Sequence, residues 1–170
     1  MDRKARMILV SGCSGSGKTT LSKQYASVHN LRYLCPDDFY ATINGDERIH
    51  QNKFDVWMCL YRAIHIAEQE QVDCIIDTNA LTRVDRDQLL GWFPNFEHHL
   101  IYVEASEDLR KKNNMLRLRH VPDEDMKRMS EIVEPPEWES MDKRWRSFLY
   151  INNVDNHFII VTQEGESIYG

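Results

Sequence analysis

The segment Gly12-Cys13-Ser14-Gly15-Ser16-Gly17-Lys18-Thr19 constrains this chain more than any other. It fits G-x-x-x-x-G-K-[ST] and follows directly on an apolar run, Ala5 to Val10. Glycines at these spacings let the backbone wrap around an anion with several N–H groups turned inward. The positive end of the helix that follows adds to the pull. Such a loop works only between a strand and a helix. A strand at Ala5–Val10 and a helix from Gly17 to about His29 are therefore predicted.

The rest of the chain alternates in the same way. A short strand is expected at Leu31–Cys35, then a turn around Asn44-Gly45. From Lys53 to Glu70 the apolar residues Phe54, Trp57, Met58, Tyr61, Ile64 and Ala67 fall at helical spacing. Val72–Asp77 reads as a buried strand ending in a carboxylate. Thr82 to Asp85 fits a capping box opening a helix to about Trp92, and Leu100–Val103 is another strand. Ser106, with Glu107 and Asp108, caps a helix predicted to carry a basic run to Arg119. Pro122 sits where a first helical residue would, with acids behind it, and Pro135-Pro136 ends that helix. A helix around Ser140 to Tyr150 and a last strand at Phe158–Val161 complete the expectation.

Strands alternating with helices imply an α/β fold of three layers, a parallel sheet with helices on both faces. A length of 170 residues suits one domain, 1–170. The charge-rich stretch at about 110–136 reads as an inserted helical lid. The formal net charge of −6 argues against a non-specific duplex-DNA binder, which needs a strong basic field. No apolar stretch approaches the roughly 20 residues that span a bilayer, so no membrane partner is expected. The N-terminal residues lack the apolar core of a signal peptide. Cys13, Cys35, Cys59 and Cys74 are scattered without a C-x-x-C and read as reduced thiols of a cytoplasmic protein.

Four groups carry the chemistry. Lys18 supplies a mobile charge to the β- and γ-phosphates of a nucleotide, and the Thr19 hydroxyl is placed to ligate Mg²⁺. Asp37 and Asp38 follow the second strand, at the crevice side of an open α/β sheet. Two adjacent carboxylates cannot both point into it; one faces an acceptor and the other the following segment, unless both serve only an Asx turn. Asp77, ending an apolar strand before Thr78-Asn79, stands where a Mg²⁺-holding carboxylate usually does. The run Arg110 to Arg119 holds five cations and no acid. A movable cation stabilises the charge that phosphoryl transfer spreads over the migrating group, although such a run can equally be a solvated helix face. Asn52-Lys53-Phe54-Asp55 fits N-K-x-D, the guanine-recognition pattern of GTPases. It opens an amphipathic helix instead of following a strand, and no D-x-x-G accompanies it. None of the seven histidines has H-x-x-x-H spacing, so no zinc site is expected.

Together these residues resemble the P-loop polynucleotide 5′-kinase family and the small bacterial and phage kinases related to it. The matches are Gly12 to Thr19, Pro36-Asp37-Asp38-Phe39, Ile75 to Arg83, Lys112-Asn113, Val121-Pro122-Asp123-Glu124 to Arg128-Met129, and Glu134-Pro135-Pro136. They keep the family's order over about residues 5–140. The resemblance implies a P-loop kinase fold and transfer of the γ-phosphoryl of ATP, with Mg²⁺, to a hydroxyl. Its preferred acceptor is the 5′-OH of a single-stranded or end-exposed nucleic acid. It also implies that Gly12, Cys13, Ser14, Gly15, Ser16, Gly17, Lys18, Thr19 and Thr20 hold the nucleotide. Asp37 becomes the general base, Asp77 and Thr19 the metal-holding pair, and Lys112 and Arg117 the lid cations. Lys112 then joins the nucleotide-binding set and Arg117, with Lys18, the catalytic one. The lid spacing is one residue longer than in the phage-type enzyme, which keeps Arg119 in contention with Arg117. The phage-type kinase also has an arginine three residues after its base, gripping a strand phosphate. Here that residue is Tyr40, which cannot form a bidentate phosphate fork. A small-molecule acceptor such as a nucleoside, sugar or antibiotic therefore stays open, as does an ATP-binding regulatory module. No specific protein partner is implied.

Overall fold

A computed structural model describes residues 3–46, 51–117, 120–137, 141–161 and 167–169 of the chain. In chain order its elements are β1 (Arg6–Ser11), α1 (Lys18–His29), β2 (Arg32–Leu34), α2 (Pro36–Asn44), α3 (Lys53–Gln69), β3 (Cys74–Asp77), α4 (Arg83–Trp92), β4 (Glu97–Ala105), α5 (Glu107–Met115), α6 (Asp123–Ile132), β5 (Trp145–Val154), β6 (His157–Val161) and β7 (Ser167–Tyr169). The strands form one seven-stranded sheet in the order β2-β3-β1-β4-β5-β6-β7. Pairing is parallel from β2 to β5 and antiparallel across β5–β6–β7.

Alternation along β1 explains the layers. Met7 and Leu9 join Leu60, Ile64, Leu90 and Phe93 in a core between the sheet and α3 and α4. Ile8 and Val10 point the other way, into a core with Ala26 of α1, Ile75, Val103 and Ile151. A strand buried on both faces reads as an unbroken apolar run, which is why β1 looked continuous rather than alternating. The register sets Val10 beside Asp77 on one flank and Ile101 on the other. The loop leaving β1 thus starts level with the carboxylate that ends β3.

Local sequence accounts for most element ends. The capping box at Thr82 is formed on both sides, Asp85 N–H to the Thr82 hydroxyl and Thr82 N–H to the Asp85 carboxylate. Ser106 caps α5 through Leu109 N–H. Asn52 stands at the N-cap position of α3 without a side-chain cap bond, and the N-K-x-D stretch opens that helix. Gly45 ends α2 in the left-handed region.

Five expectations need correction. The residues after Cys35, where no helix was expected, form one, α2: Pro36 is its first residue and Asp37 and Asp38 complement its positive end. α5 ends at Met115 instead of continuing to Arg119, because the Asn114 carboxamide bonds Val121 in both directions, at 2.8 and 2.9 Å, and turns the chain back. Arg119 itself lies outside the described residues. Pro122 is the N-cap of α6 rather than its first residue. The helix expected around Ser140 to Tyr150 is not formed; Trp145–Tyr150 belong to β5, and Ser140 lies outside the described residues. β5 pairs with β4 from Trp145 to Asn153, and its aromatic and β-branched residues suit a half-buried pleated surface. Finally, the sheet is not parallel throughout, since a two-residue turn at Asp155-Asn156, both at positive φ, folds β6 back on β5.

Gly12 sits where β1 enters the loop, at φ +143°, and a Cβ there would lie 2.3 Å from the Val103 carbonyl oxygen. Both the backbone conformation and the contact exclude a side chain. Gly12→Ala is expected to lower the unfolding free energy by about 2 kcal/mol or more. Denaturant melts check this; an unchanged midpoint would mean that β1 and β4 can separate at no cost.

Candidate active site

The ends of β1, β2 and β3 open into a cleft of about 1210 Å³. That exceeds the roughly 300–1,000 Å³ of a site for one small molecule, so two substrates can share it. Its floor is the loop after β1. Ser14, Gly15, Gly17, Lys18, Thr19 and Thr20 line the cleft. Gly12, Cys13 and Ser16 are buried behind them. The loop closes on itself through Ser16 N–H to Cys13 O, 3.2 Å, and Gly12 N–H bonds Asn79 O at 3.1 Å. The first turn of α1 holds no acidic residue and no side chain caps it. Its positive end is therefore presented to the cleft.

Lys18 is 7% exposed, and its ammonium donates to Cys13 O at 2.9 Å. Burial holds its pKa below the usual lysine value, and the nearby Asp77 opposes that shift. Asp77 is 3% exposed and accepts from the Tyr33 hydroxyl at 2.9 Å. Burial first, then the Asp77 and Asp37 carboxylates, push the Cys35 thiol up to about 12. Asp77 and Asp37 thus bring two carboxylates to the cleft that also holds the Lys18 ammonium.

The adjacent carboxylates part company as their chemistry required: Asp37 lines the cleft, whereas Asp38 is exposed on the helix surface. Across the cleft, Arg117 brings its guanidinium to 3.7 Å from the Asp37 carboxylate. Both side chains are about a third exposed, so the pair adds little stability; it records which groups face one another. Arg128 and His120 line the same side. Lys112 is exposed and is not among the cleft-lining residues. Its neighbour Asn113 is, and bonds Gly15 O at 2.9 Å. Tyr40 is buried and contributes to the wall beside Asp37.

Sequence reasoning missed several residues of the cleft. Tyr33 gave no signal beyond being a strand aromatic. Asn153, 2% exposed, donates to Ser16 O at 2.8 Å and holds the loop from behind. It stands on β5, whose start was expected to be helical up to Tyr150 and whose end fell in no expected element, so its burial could not be seen. Lys53 and Trp57, which also line the cleft, did show in the amphipathic pattern of α3, but only as part of a helix face.

Among solved structures, the chain resembles a sugar kinase from Janibacter sp. HTCC2649 at 21% identity, covering 87% of this chain and 85% of that one with a TM-score of 0.64. It also resembles Chaetomium thermophilum Kti12 in complex with ADP-AlF3, at 17% identity, 86% and 88% coverage and a TM-score of 0.66. A chain of the Pnkp1/Rnl/Hen1 RNA repair complex matches at 11% identity, covering 84% of this chain and 51% of that one, with a TM-score of 0.65. At these identities the likeness is one of fold, the P-loop kinase fold. The family described as an AAA domain matches residues 7–136, and the chain belongs to that family.

Proposed function

We propose that this protein is an ATP-dependent phosphotransferase that moves the γ-phosphoryl group to an alcohol, with the 5′-OH of a nucleic acid as its acceptor. The observation that carries the reading is the meeting of Asp37 and Arg117 over the loop that holds Lys18. They come from segments far apart in the chain, one on the acceptor side and one on the lid. Asp37 orients the acceptor hydroxyl and takes its proton while the acceptor oxygen bonds to the γ-phosphorus. The bond from that phosphorus to the β–γ bridging oxygen breaks, leaving ADP. Lys18 and Arg117 supply positive charge to the oxygens of the migrating group, where the transition state needs it. Residues 110–136 act as the lid that excludes water from this step.

The residues present fit a divalent cation. The Asp77 carboxylate and the Thr19 hydroxyl, which both line the cleft, would hold it. No cluster of three His, Cys, Asp or Glu side chains able to hold a metal occurs among the described residues. A cation here therefore draws its other ligands from water and phosphate oxygens, as Mg²⁺ does. When bound, Mg²⁺ supplies charge that offsets the triphosphate. The four cysteines form no disulfide, which suits the reducing cytoplasm. No helix among the described residues is long and apolar enough to cross a membrane.

Transfer of labelled γ-phosphate to a panel of 5′-OH RNA, 5′-OH DNA, nucleosides and sugars tests the reading. Stimulation by the 5′-OH ends alone is expected. Transfer only to a small polyol would move the acceptor to the sugar-kinase class, for which Tyr40 in place of an arginine already leaves room. Hydrolysis that no acceptor stimulates would make the protein an ATP-binding module.

In the same assay Asp37→Asn is expected to lower kcat by about 10²–10⁴-fold with nucleotide affinity retained, and Asp38→Asn by far less. Arg117→Ala should lower kcat more than it raises the KM for ATP, and Lys112→Ala less so. The opposite ranking within either pair would place the chemistry on the other residue.

Lys18 generates a pH prediction. Its pKa is depressed by burial in the free protein, whereas bound phosphates favour the charged amine and raise it. ADP binding at alkaline pH, as the ordinary lysine value of about 10.4 is approached from below, is therefore expected to take up a proton. Affinity should fall as pH rises through that range. Calorimetry in buffers of different ionisation enthalpy reads the uptake, and Lys18→Arg should remove it. Absence of uptake in the wild-type protein would show that Lys18 is already fully charged before ligand arrives.

A further inference from the structure

The apolar pattern of α3 is wider than the core it serves. Val56, Leu60, Ile64 and Ala67 face inward and are buried. A second line, Lys53, Trp57 and Tyr61 at intervals of four, runs along the neighbouring face. Lys53 and Trp57 line the cleft, and Trp57 is 38% exposed. The Tyr61 ring follows at 6.5 Å between centroids. Trp92, the last residue of α4 and 51% exposed, meets Tyr61 edge-to-face at 4.7 Å. Tyr61 itself packs against the core, which holds the row in place. The next position along α3, His65, is engaged by Glu68 and Gln69, and the row continues on α4 instead. Three rings thus lead outward from the cleft, with a lysine at the cleft end.

We propose that this row is a track for a single strand of nucleic acid whose 5′ end lies in the cleft, with Lys53 on a backbone phosphate, Trp57 and Trp92 stacking on bases, and Tyr61 bracing the two indoles. This deepens the reading of the acceptor as a nucleic-acid 5′-OH and rests on it. Asp37, Lys53 and Trp57 share one cleft, and α2, which carries Asp37, packs on α3. A strand whose end hydroxyl reaches Asp37 therefore meets α3 on its way out. Every base offers a π-face, so stacking on these rings asks for no particular sequence. Lys53 and Arg62 are the only lysine and arginine of α3, and the chain is acidic overall. Attraction along the track then comes from stacking more than from counterion release. That suits a single strand with bare bases and disfavours a duplex, which is held mainly through its phosphates.

Kinetics with 5′-OH dithymidylate and octathymidylate test the track. In the wild-type protein the KM is expected to be about 10-fold or more lower for the octanucleotide, the worth of at least one stacked base. Trp92→Ala should raise the octanucleotide KM by about 5- to 150-fold, the range of base–aromatic stacking, and leave the dinucleotide KM within about twofold. Trp57→Ala, nearer the cleft, should raise both, and Trp57→Phe should raise neither. Trp92→Ala should keep its kcat at saturating octanucleotide, which a misfolded cleft would not allow. Lys53→Ala should flatten the slope of log affinity against log salt by about 0.7, the share of one single-strand phosphate. Equal KM for the two lengths, with transfer still observed, would overturn the track and leave the 5′-OH reading standing. So would an octanucleotide KM that neither tryptophan substitution changes. A protein dimer in sedimentation that Trp92→Ala disperses, with no dependence on acceptor length, would assign the surface to a second copy of this chain and overturn the proposal too. No transfer to either length by a protein that binds ATP would defeat the 5′-OH acceptor itself, and the track with it.

Discussion

The buried ammonium of Lys18 is the constraint on which this site depends. Removing a charge of that kind from water costs several kcal/mol unless other groups replace the hydration. The fold supplies them from two directions. The Cys13 carbonyl, turned inward by the tight loop, accepts directly from Nζ. Asp77 adds an opposite charge from the end of β3. The positive end of α1 adds none of this compensation and increases the need for it. The compensation is partial, since burial still lowers the Lys18 pKa. An electropositive cavity that its own protein leaves incompletely balanced favours an anionic ligand. The same arrangement that strains the free protein thus gives the loop its preference for phosphate.

Holding that loop in shape requires support from outside it, because six of its positions from Gly12 to Gly17 are small residues with little to pack. Support comes from the backbone of β4 behind Gly12, from Asn153 on β5 at Ser16, and from Asn113 on α5 at Gly15. Each contact arrives from a different element of the half of the sheet beyond β1. The other half, β3 and β2, contributes the carboxylates and, just after β3, the Asn79 carbonyl that accepts from Gly12 N–H. One half therefore serves as a mould for the loop, and the other supplies the reacting end with charge.

Much of this was legible in the sequence where chemistry and local structure coincide. The loop, the strand before it, the carboxylate of Asp77 and the capping boxes are all set by residues close together in the chain. Asp37 could be placed at the crevice because it follows a strand. α2 was missed although Pro36 with two acids behind it is a helix start in its own right; the Asx-turn reading of Asp37-Asp38 competed for the same residues. β5 was misread for a different reason. Its residues become a strand through pairing with β4, a contact between distant segments that no local pattern encodes. Losing β5 also hid Asn153, Asn156 and Phe158, whose positions depend on the hairpin that β5 begins.

The segment after β4 shows how one side chain decides which of several cations reaches the cleft. In the basic run Arg110 to Arg119, spacing alone could not rank the candidates. The structure separates them by position, through Asn114. By bonding Val121 in both directions, its carboxamide stops α5 at Met115 and leaves Arg117 in the turn that follows. There it leans over the cleft toward Asp37, while Lys112 remains on the solvent face of the helix and Arg110 is buried against Ser130. The second anchor lies at the far end of the segment, where Glu134 accepts from Arg83 N–H and donates its own N–H to Leu81 O. A segment fixed at both ends and turned in the middle holds Arg117 at the cleft, facing Asp37, with its register set. In the proposed phosphotransferase, that places a positive charge at the same cleft as the phosphate loop.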